Sequence, residues 1–576
     1  MTTGKLARAI SPDLIIAIPN ALNHDRDLHQ AVQRALGRIH NLALKPYQED
    51  RGASYEDEVK KSIPLKKLAV EIGGKANFNI KWDHSAINQS FVAFDQDEHA
   101  RTMKRKISKQ SISALSIQSL ENLDESYELT VPDGSGQATI KAKNALGALR
   151  GLATFTQMIY ELPSGSTKFV FNLPLAIQDK PAFPYRGILL DTARNYLPVS
   201  SILKTIDVME TVKLNQLHWH ITDSQSFPLV LSTKGLDVLA KTGAYSPEAV
   251  YDHHTVQYII QYAAARGVNV IPEIDMPGHM KEGIEHYGKD ALITCNAETP
   301  WINWANEPPS GHLDIRKPAA TTFAKDLLSE VVTKFPGPYV STGNDEINAH
   351  CYGLADKDLA GVDKLLKPFV DDVHSHLTDL KKTPMVWEEA LLNFPETGKI
   401  LKPGTLVEAW ISNKSVTSIL QSRNDVNLIL AVVDYFYLDC GLGGWLSNSA
   451  DGQSWCSFVT WQKQYSFDPF AGTEGIANAK DRIKGGESAA WSEQIDSGNL
   501  DTVVWPRAAS GAEVFWTGAS FSLNGQDKKR DLLEAGPRMH DVRGRIRSMG
   551  IMAAAIQPFW CALRPGNMCL GGAGLA

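Results

Sequence analysis

The sequence predicts an α/β protein in which a (β/α)8 TIM barrel follows a smaller α+β domain. Length is the first reason, since 576 residues exceed what one ordinary core organises. The second lies beyond Phe183, where short apolar runs alternate with longer helical patterns, as parallel strands joined by helices do. Third, eight such runs span roughly 320 residues, a size within the range of that fold.

In chain order, residues 1–178 make up the non-catalytic α+β domain. Apolar runs predict strands at residues 14–18, 67–71, 127–131 and 137–143, the last two joined by the turn Asp133-Gly134-Ser135-Gly136. Helical spacing marks residues 29–39 and 144–160. No set of reactive side chains gathers in this part, so packing is its expected role. Residues 179–576 hold the barrel and a C-terminal helical extension. Barrel strands are predicted at residues 187–192, 216–222, 268–274, 339–342, 384–387, 405–409, 428–433 and 488–491. Helices follow over residues 503–516 and 528–549, the second broken or starting late at Pro537.

Such barrels carry their chemistry at the carboxyl ends of the strands. There the sequence sets Asp191 and Arg194, His220 and Asp223, Asp275 and His279, Asp345 and Glu346, Trp387 and Glu388, Trp410, Asp434 to Asp439, and Trp491 with Glu493. The run Ser341-Thr342-Gly343-Asn344-Asp345-Glu346 is the most telling. Neighbours on an extended chain point to opposite sides, so both carboxylates serve one site only if the strand breaks. Gly343 and Asn344, types that tolerate unusual backbone angles, stand where that break is needed. An isolated Asp-Glu pair would read as a helix cap; the other strand ends argue for a site.

A net charge of −7 is small for this length, so no electrostatic footprint for nucleic acid or an anionic membrane is present. The basic cluster Arg101, Lys104, Arg105, Lys106 and Lys109 lacks interleaved aromatics and reads as a solvated loop. No apolar run reaches membrane-spanning length. The run at residues 14–18, between Pro12 and Pro19, reads as a strand rather than the core of a signal peptide. Of six cysteines, Cys561 and Cys569 lie close together in a Gly/Pro-rich tail, and Cys440 and Cys456 flank a Gly/Ser/Asn loop. Cys295 and Cys351 then pair across a longer loop. Small loops of this kind suit structural disulfides. With the sequons Asn88-Gln89-Ser90 and Asn413-Lys414-Ser415, they point to a secreted protein.

The rim is rich in carboxylates and tryptophans. Pyranose rings stack their apolar faces on indoles, and their hydroxyls take directional bonds from carboxylates and arginine. Cleaving a glycosidic bond needs a protonated carboxyl for the leaving oxygen and a second group to meet the developing cation. Phe183-Pro184-Tyr185-Arg186-Gly187, Leu190-Asp191-Thr192-Ala193-Arg194, His218-Trp219-His220-Ile221-Thr222-Asp223, Pro272-Glu273-Ile274-Asp275-Met276-Pro277-Gly278-His279, Asp345-Glu346, Tyr435-Phe436-Tyr437-Leu438-Asp439 and Gly485-Gly486-Glu487 with Trp491-Ser492-Glu493 occur in this order. Together they closely resemble the family 20 glycoside hydrolases, the β-N-acetylhexosaminidases, and the fungal branch in particular. The resemblance runs from about residue 127 to the carboxyl end.

That resemblance implies exo-acting, substrate-assisted retaining hydrolysis, in which the sugar's own 2-acetamido oxygen attacks the anomeric carbon. Glu346 would be the acid and then the base, Asp345 would hold the acetamide N–H, and Tyr437 would hydrogen-bond its oxygen. Asp223 and His279 would surround the pair and separate the two pKa values. Arg186 would grip the 3- and 4-hydroxyls, Asp439 and Glu493 the 4- and 6-hydroxyls, and Trp387, Trp410 and Trp491 would wall the pocket. The implied partners are an oligosaccharide ending in a 2-acetamido-2-deoxy sugar and a second copy in a homodimer, with no cofactor, metal, nucleic acid or membrane. The family usually has Gly-Gly before the acidic pair; here Gly343-Asn344 stands, and Asn tolerates positive φ well enough for the turn to survive. Ser488-Ala489-Ala490 replaces a Cys-containing version, with little effect expected.

Two other readings compete. A metal-dependent hydrolase would use His218 and His220, which face the same way on a strand, with Asp223, His279 or Asp275; no further histidine clusters at later strand ends support it. A non-catalytic sugar-binding protein would not need Asp345, Glu346 and Tyr437 together, because binding requires no acid.

Overall fold

The computed structural model describes residues 1–83, 110–134, 136–288, 291–446, 452–564 and 569. The sequon at Asn88 and the basic cluster at residues 101–109 lie outside them.

The first strands are β1 (Thr2–Pro19), β2 (Leu65–Ile72), β3 (Ala76–Ile80), β4 (Tyr127–Val131), β5 (Ala138–Ala142), β6 (Tyr160–Glu161) and β7 (Lys168–Asp179). They form one sheet in the order β3-β1-β2-β5-β4-β7-β6. β1 is far longer than its apolar run suggests. Its first part pairs antiparallel with β7 and its second part parallel with β2. β7 escaped the sequence reading because Asn172, at φ +63°, and Pro174 interrupt its alternation. The helix Arg26–His40 buries Leu28, Ala31, Val32, Ala35, Leu36 and Ile39, a three-and-four spacing, and Asp25 caps it by accepting from the Leu28 N–H. It shares one core cluster with the helix Ala145–Gln157, capped by Asn144.

All eight predicted barrel strands are present. They are β8 (Tyr185–Asp191), β9 (Gln216–Thr222) and β10 (Asn269–Ile274), then, after the small hairpin β11 (Ile293–Thr294) and β12 (His312–Leu313), β13 (Tyr339–Ser341), β14 (Thr383–Trp387), β15 (Leu406–Ala409), β16 (Asn427–Leu430) and β17 (Ile483–Ala490). Each pairs parallel with its neighbour, and β17 closes on β8. β17 begins earlier than predicted, with Gly485 and Gly486 inside it. A Cβ on Gly485 would meet the Tyr185 carbonyl oxygen at 1.9 Å, and one on Gly486 the Leu430 oxygen at 2.2 Å. These glycines let the neighbouring backbone close the barrel.

Beyond the helix Arg507–Thr517, the strands β18 (Ser520–Leu523) and β19 (Gln526–Lys529) form a hairpin between the two expected helices, reaching into the second only at residues 528–529. The last long helix then runs from Leu532 to Ser548 without the break expected at Pro537. An Asp531 cap starts it, and Pro537 forfeits only the bond to the Leu533 carbonyl.

Buried ion pairs tie the N-terminal sheet to the barrel. Glu125 sits between Arg150 and Arg186, each at 2.7 Å, with all three side chains buried. Arg34 and Arg38 of the first long helix reach Glu210, and Arg34 is at 2.6 Å. Asp179 accepts from Lys213 and from the Trp516 indole. Removing one partner of a buried cluster strands the others' charge. Glu125→Ala is therefore expected to lose about 3–5 kcal/mol in a denaturant melt; a loss under about 1 kcal/mol, as at a surface pair, would show that the cluster does not hold the two parts together.

Candidate active site

β13 ends at Ser341, and the chain then leaves strand geometry. Gly343 lies at φ +63°, Asn344 at +69° and Glu346 at +49°. A Cβ on Gly343 would sit 1.8 Å from the Asp275 Oδ1, so only glycine fits. The Asn344 N–H donates to that Asp275 oxygen at 3.1 Å. Its side-chain Nδ2 donates to the Met276 carbonyl at 2.5 Å, and its Oδ1 accepts from Thr342 Oγ1 at 3.1 Å. The turn survives the Asn, as expected, and brings Asp345 and Glu346 to the same side of the barrel mouth. Their side chains are both close to one imidazole: His279 Nε2 lies 3.4 Å from Glu346 and 3.9 Å from Asp345. His279 itself has φ +54°. Three non-glycine residues held at positive φ in one site are stored strain of the kind found where geometry matters.

The electrostatics follow from these contacts. Burial works against a charged His279, but Asp223, 3.1 Å from Nδ1, and Glu346 outweigh it and hold the ring well above its ordinary range. Burial pushes Glu346 up, and the His279 cation more than reverses this, leaving it below the usual carboxylate range. Asp345 is raised by burial despite His279. Asp275 is raised well above its ordinary range, by burial and by the neighbouring Asp345. His279 pulls both acids down, and the two part because burial outweighs it at Asp345 and not at Glu346. In the protein by itself Glu346 is the more acidic of the two, the reverse of the order expected from the sequence.

Trp387 closes β14, Trp410 follows β15, and Trp491 follows β17. Trp387 and Trp491 have ring centres 5.8 Å apart, and Trp410 stacks on Tyr437 at 5.9 Å. Tyr437 bridges to Ala489 of β17, which sets its ring 6.3 Å from Trp491. The Asp439 carboxyl is pushed up to about 7, chiefly by burial. Glu493 is raised by burial against the pull of Arg194. Asp345 Oδ1, Trp387 Nε1 and Asp439 Oδ1 are buried without a hydrogen-bond partner among the described residues. Glu388 does not face this pocket; it accepts from the Trp410 and Ile411 N–H groups and from Ser415 of the second sequon.

Arg186 is the expectation that the structure overturns. It lies at the amino end of β8, fully buried, with its guanidinium bound to Glu125 and to the Lys213 and Phe183 carbonyls. The side chain is committed at the opposite end of the barrel from Asp345. Arg194, past the carboxyl end of the same strand, occupies the mouth. It contacts Asp223 at 3.1 Å and Glu307 at 2.6 Å and lies over the Trp491 ring at 5.0 Å. Glu307 comes from the loop between β11 and β12, and residues 305–312 border Glu346. No local pattern in the sequence marks Glu307. The three expected disulfides form. One of them, Cys440–Cys456, anchors Trp455, which is 68% exposed and edge-on to Trp410 at 6.5 Å. Its place beside a cysteine in a loop was the one available signal. As for a metal centre, both nitrogens of His218 and of His220 face carboxylates as hydrogen-bond partners.

The family profile described as "Glycosyl hydrolase family 20, catalytic domain" matches residues 183–519, and the one described as "beta-acetyl hexosaminidase like" matches residues 9–158. The likeness therefore extends further towards the amino terminus than the motifs alone suggest. A Bombyx mori chitooligosaccharidolytic beta-N-acetylglucosaminidase is 35% identical over 78% of this chain and 75% of its own. A beta-hexosaminidase of Emericella nidulans is 30% identical over 77% of each. The fold matches that of the Flavobacterium johnsoniae chitobiase, with a TM-score of 0.68 at 22% identity over 95% of this chain and 72% of that one. It also matches that of the Streptomyces coelicolor beta-N-acetylhexosaminidase, with a TM-score of 0.64 at 20% identity over 96% of each.

Asn344→Ala strands the Met276 carbonyl and asks alanine for a positive φ, so it should cost about 2–4 kcal/mol. Asn344→Gly keeps the backbone angle and should cost less. Melting temperatures of the two variants in the opposite order would show that the backbone angle does not limit this turn.

Proposed function

The chain belongs to glycosyl hydrolase family 20, and from that premise we propose that it is an exo-acting β-N-acetylhexosaminidase that removes terminal non-reducing N-acetylglucosamine, and N-acetylgalactosamine, from chitooligosaccharides or glycans. The carrying observation is the pocket itself: two acids on a left-handed turn, facing a tyrosine across a tryptophan box that holds unpartnered polar atoms.

In this reading the 2-acetamido oxygen attacks the anomeric carbon while Glu346 protonates the departing glycosidic oxygen. The oxazolinium so formed is opened by water, from which Glu346 takes a proton, and the β configuration is retained. Asp345 accepts the acetamide N–H and opposes the developing positive charge. Tyr437, whose hydroxyl burial keeps protonated, donates to the acetamide oxygen and aims it. Arg194, in place of Arg186, takes the 3- and 4-hydroxyls, with Asp439 and Glu493 on the 4- and 6-hydroxyls. Trp387, Trp410 and Trp491 enclose the ring, and Trp455 offers a face to the next sugar. The chain divides near residue 178, the N-terminal part supporting rather than performing the reaction. Secretion fits the three disulfides, and among the described residues no helix is long and apolar enough to cross a membrane. Recovery from the medium of the native host and sedimentation as a homodimer are the corresponding measurements; a cell-retained or monomeric protein would remove those two points alone.

Glu346→Gln should slow chitobiose cleavage by ~10²–10⁴-fold with KM little changed, and Asp345→Asn by ~10²–10³-fold. Arg194→Ala should act mainly on KM. An aryl glucoside lacking the 2-acetamido group should not be cleaved. Near wild-type rates in either acid variant, or turnover of that glucoside, would sink the mechanism.

A further inference from the structure

Beneath the pocket, the barrel interior holds acids and imidazoles in strict alternation. From Glu346 the contacts run to His279 at 3.4 Å, on to Asp223 at 3.1 Å, to His220 at 2.8 Å and to Glu273 at 2.5 Å. They continue to His218 at 3.2 Å and to Glu487 at 2.8 Å, and end on the Tyr185 hydroxyl at the amino end of β8. We propose that Glu273, which no substrate atom reaches, is a positioning residue for the acid: it fixes His220, hence Asp223, hence the His279 ring that faces Glu346. This rests on Glu346 being the acid.

The argument starts from donors and acceptors. An ionised carboxylate only accepts, so an imidazole between two of them must donate from both nitrogens and is an imidazolium. Against burial, the flanking acids hold His218 up at about 10 and His220 at about 9. Three imidazoliums thus alternate with the carboxylates of the row, and Arg194 adds a cation that Asp223 shares with Asp191 and Glu307. With His220 on Oδ2 of Asp223, Oδ1 takes His279 and the Ser224 N–H, and the carboxylate so anchored fixes that ring's tilt and charge. Glu273 is the junction. Its Oε1 takes His220, and its Oε2 takes His218 and Ser341 Oγ, the latter on the strand that leads out to the acidic pair. The other ionisable groups facing it are Tyr185 on β8, Glu408 on β15, Glu487 on β17, Asp275 beyond its own strand and Asp345 beyond β13. Trp387 stacks over His218 at 6.1 Å, so the far end of the row also supports the pocket floor.

Glu273→Gln keeps the shape and removes the charge. The amide cannot accept from two imidazoliums and its NH2 needs an acceptor, so His220 gives up a proton. A positive charge nearer Glu346 is lost together with a negative charge further away, and the Glu346 pKa rises. The descending limb of kcat/KM against pH, which marks loss of the acid's proton, should move to higher pH. With the His279 ring no longer fixed against Glu346, proton delivery to a poor leaving group suffers, so chitobiose turnover at the pH optimum should fall ~10-fold, while nitrophenyl substrates with good leaving groups change much less. Glu273→Asp, which keeps the charge, should restore the limb. If Glu273→Gln does not fold, His220→Gln, which cuts the row one link nearer the acid, carries the same test. A limb superimposed on the wild type, with both substrates slowed equally, would reduce Glu273 to a packing role. Glu346→Gln measured alongside separates the cases: if that variant still shows the wild-type limb, the acid assignment has failed rather than the positioning.

Discussion

Adjacent residues on a strand face opposite ways, and this constraint governs the whole site. Asp345 and Glu346 are neighbours in sequence, yet both reach His279. The backbone permits it by turning left-handed at Gly343, Asn344 and Glu346. Such a turn is uphill for any residue with a side chain, so it persists only because its surroundings over-determine it. Asp275 fills the space where a Gly343 side chain would stand and accepts the Asn344 N–H, while the Asn344 amide grips Met276. The segments that hold the turn follow β10, next to β13 in the barrel. Strand order thus decides what supports the acids.

The same adjacency explains the filling of the barrel's interior. A purely apolar interior would be cheaper to bury, but it would leave His279 and Asp223 without fixed partners. The row through His220, Glu273 and His218 spends stability on charge and returns a defined orientation at the mouth. It also explains why the interior tyrosine at the start of β8 donates to a carboxylate rather than packing against aliphatic side chains. On the opposite end, Arg186 shows how misleading proximity in sequence is. It lies eight positions from Arg194, but a strand separates them, and one faces the supporting sheet while the other faces the pocket.

Much of this was legible in the chain. The eight strands were readable because buried parallel strands are short apolar runs between helices, and the acidic pair because Gly-Asn stands just before it. The failures have physical causes. Gly485 and Gly486 look like a turn locally, and only the crowding of β8 and β16 makes them strand. β7 hides its period behind Asn172 and Pro174. The motif around Arg186 does not reveal that the residue stands at the amino end of its strand. Glu307 arrives from a long loop whose course depends on the Cys295–Cys351 link and on His312, which accepts from the Asn348 N–H just beyond the acids. No local pattern encodes such a path.

The order of the two acidities has a physical resolution. In the protein alone, the His279 cation favours an ionised Glu346, and burial favours a protonated Asp345. An acetamido sugar in this pocket would act on both. Its N–H would donate to Asp345, stabilising the anion. The glycosidic oxygen, an acceptor, would meet Glu346 favourably only in its protonated form, and the sugar ring would shield that carboxyl, one quarter exposed in the protein alone, from water. On the proposed mechanism, then, seating a sugar with the right amide would move the balance towards a protonated Glu346. On that mechanism a ligand without the amide would leave Asp345 without that donor and the acidities in their resting order, so protonation of Glu346 would favour 2-acetamido sugars alongside the fit of the pocket.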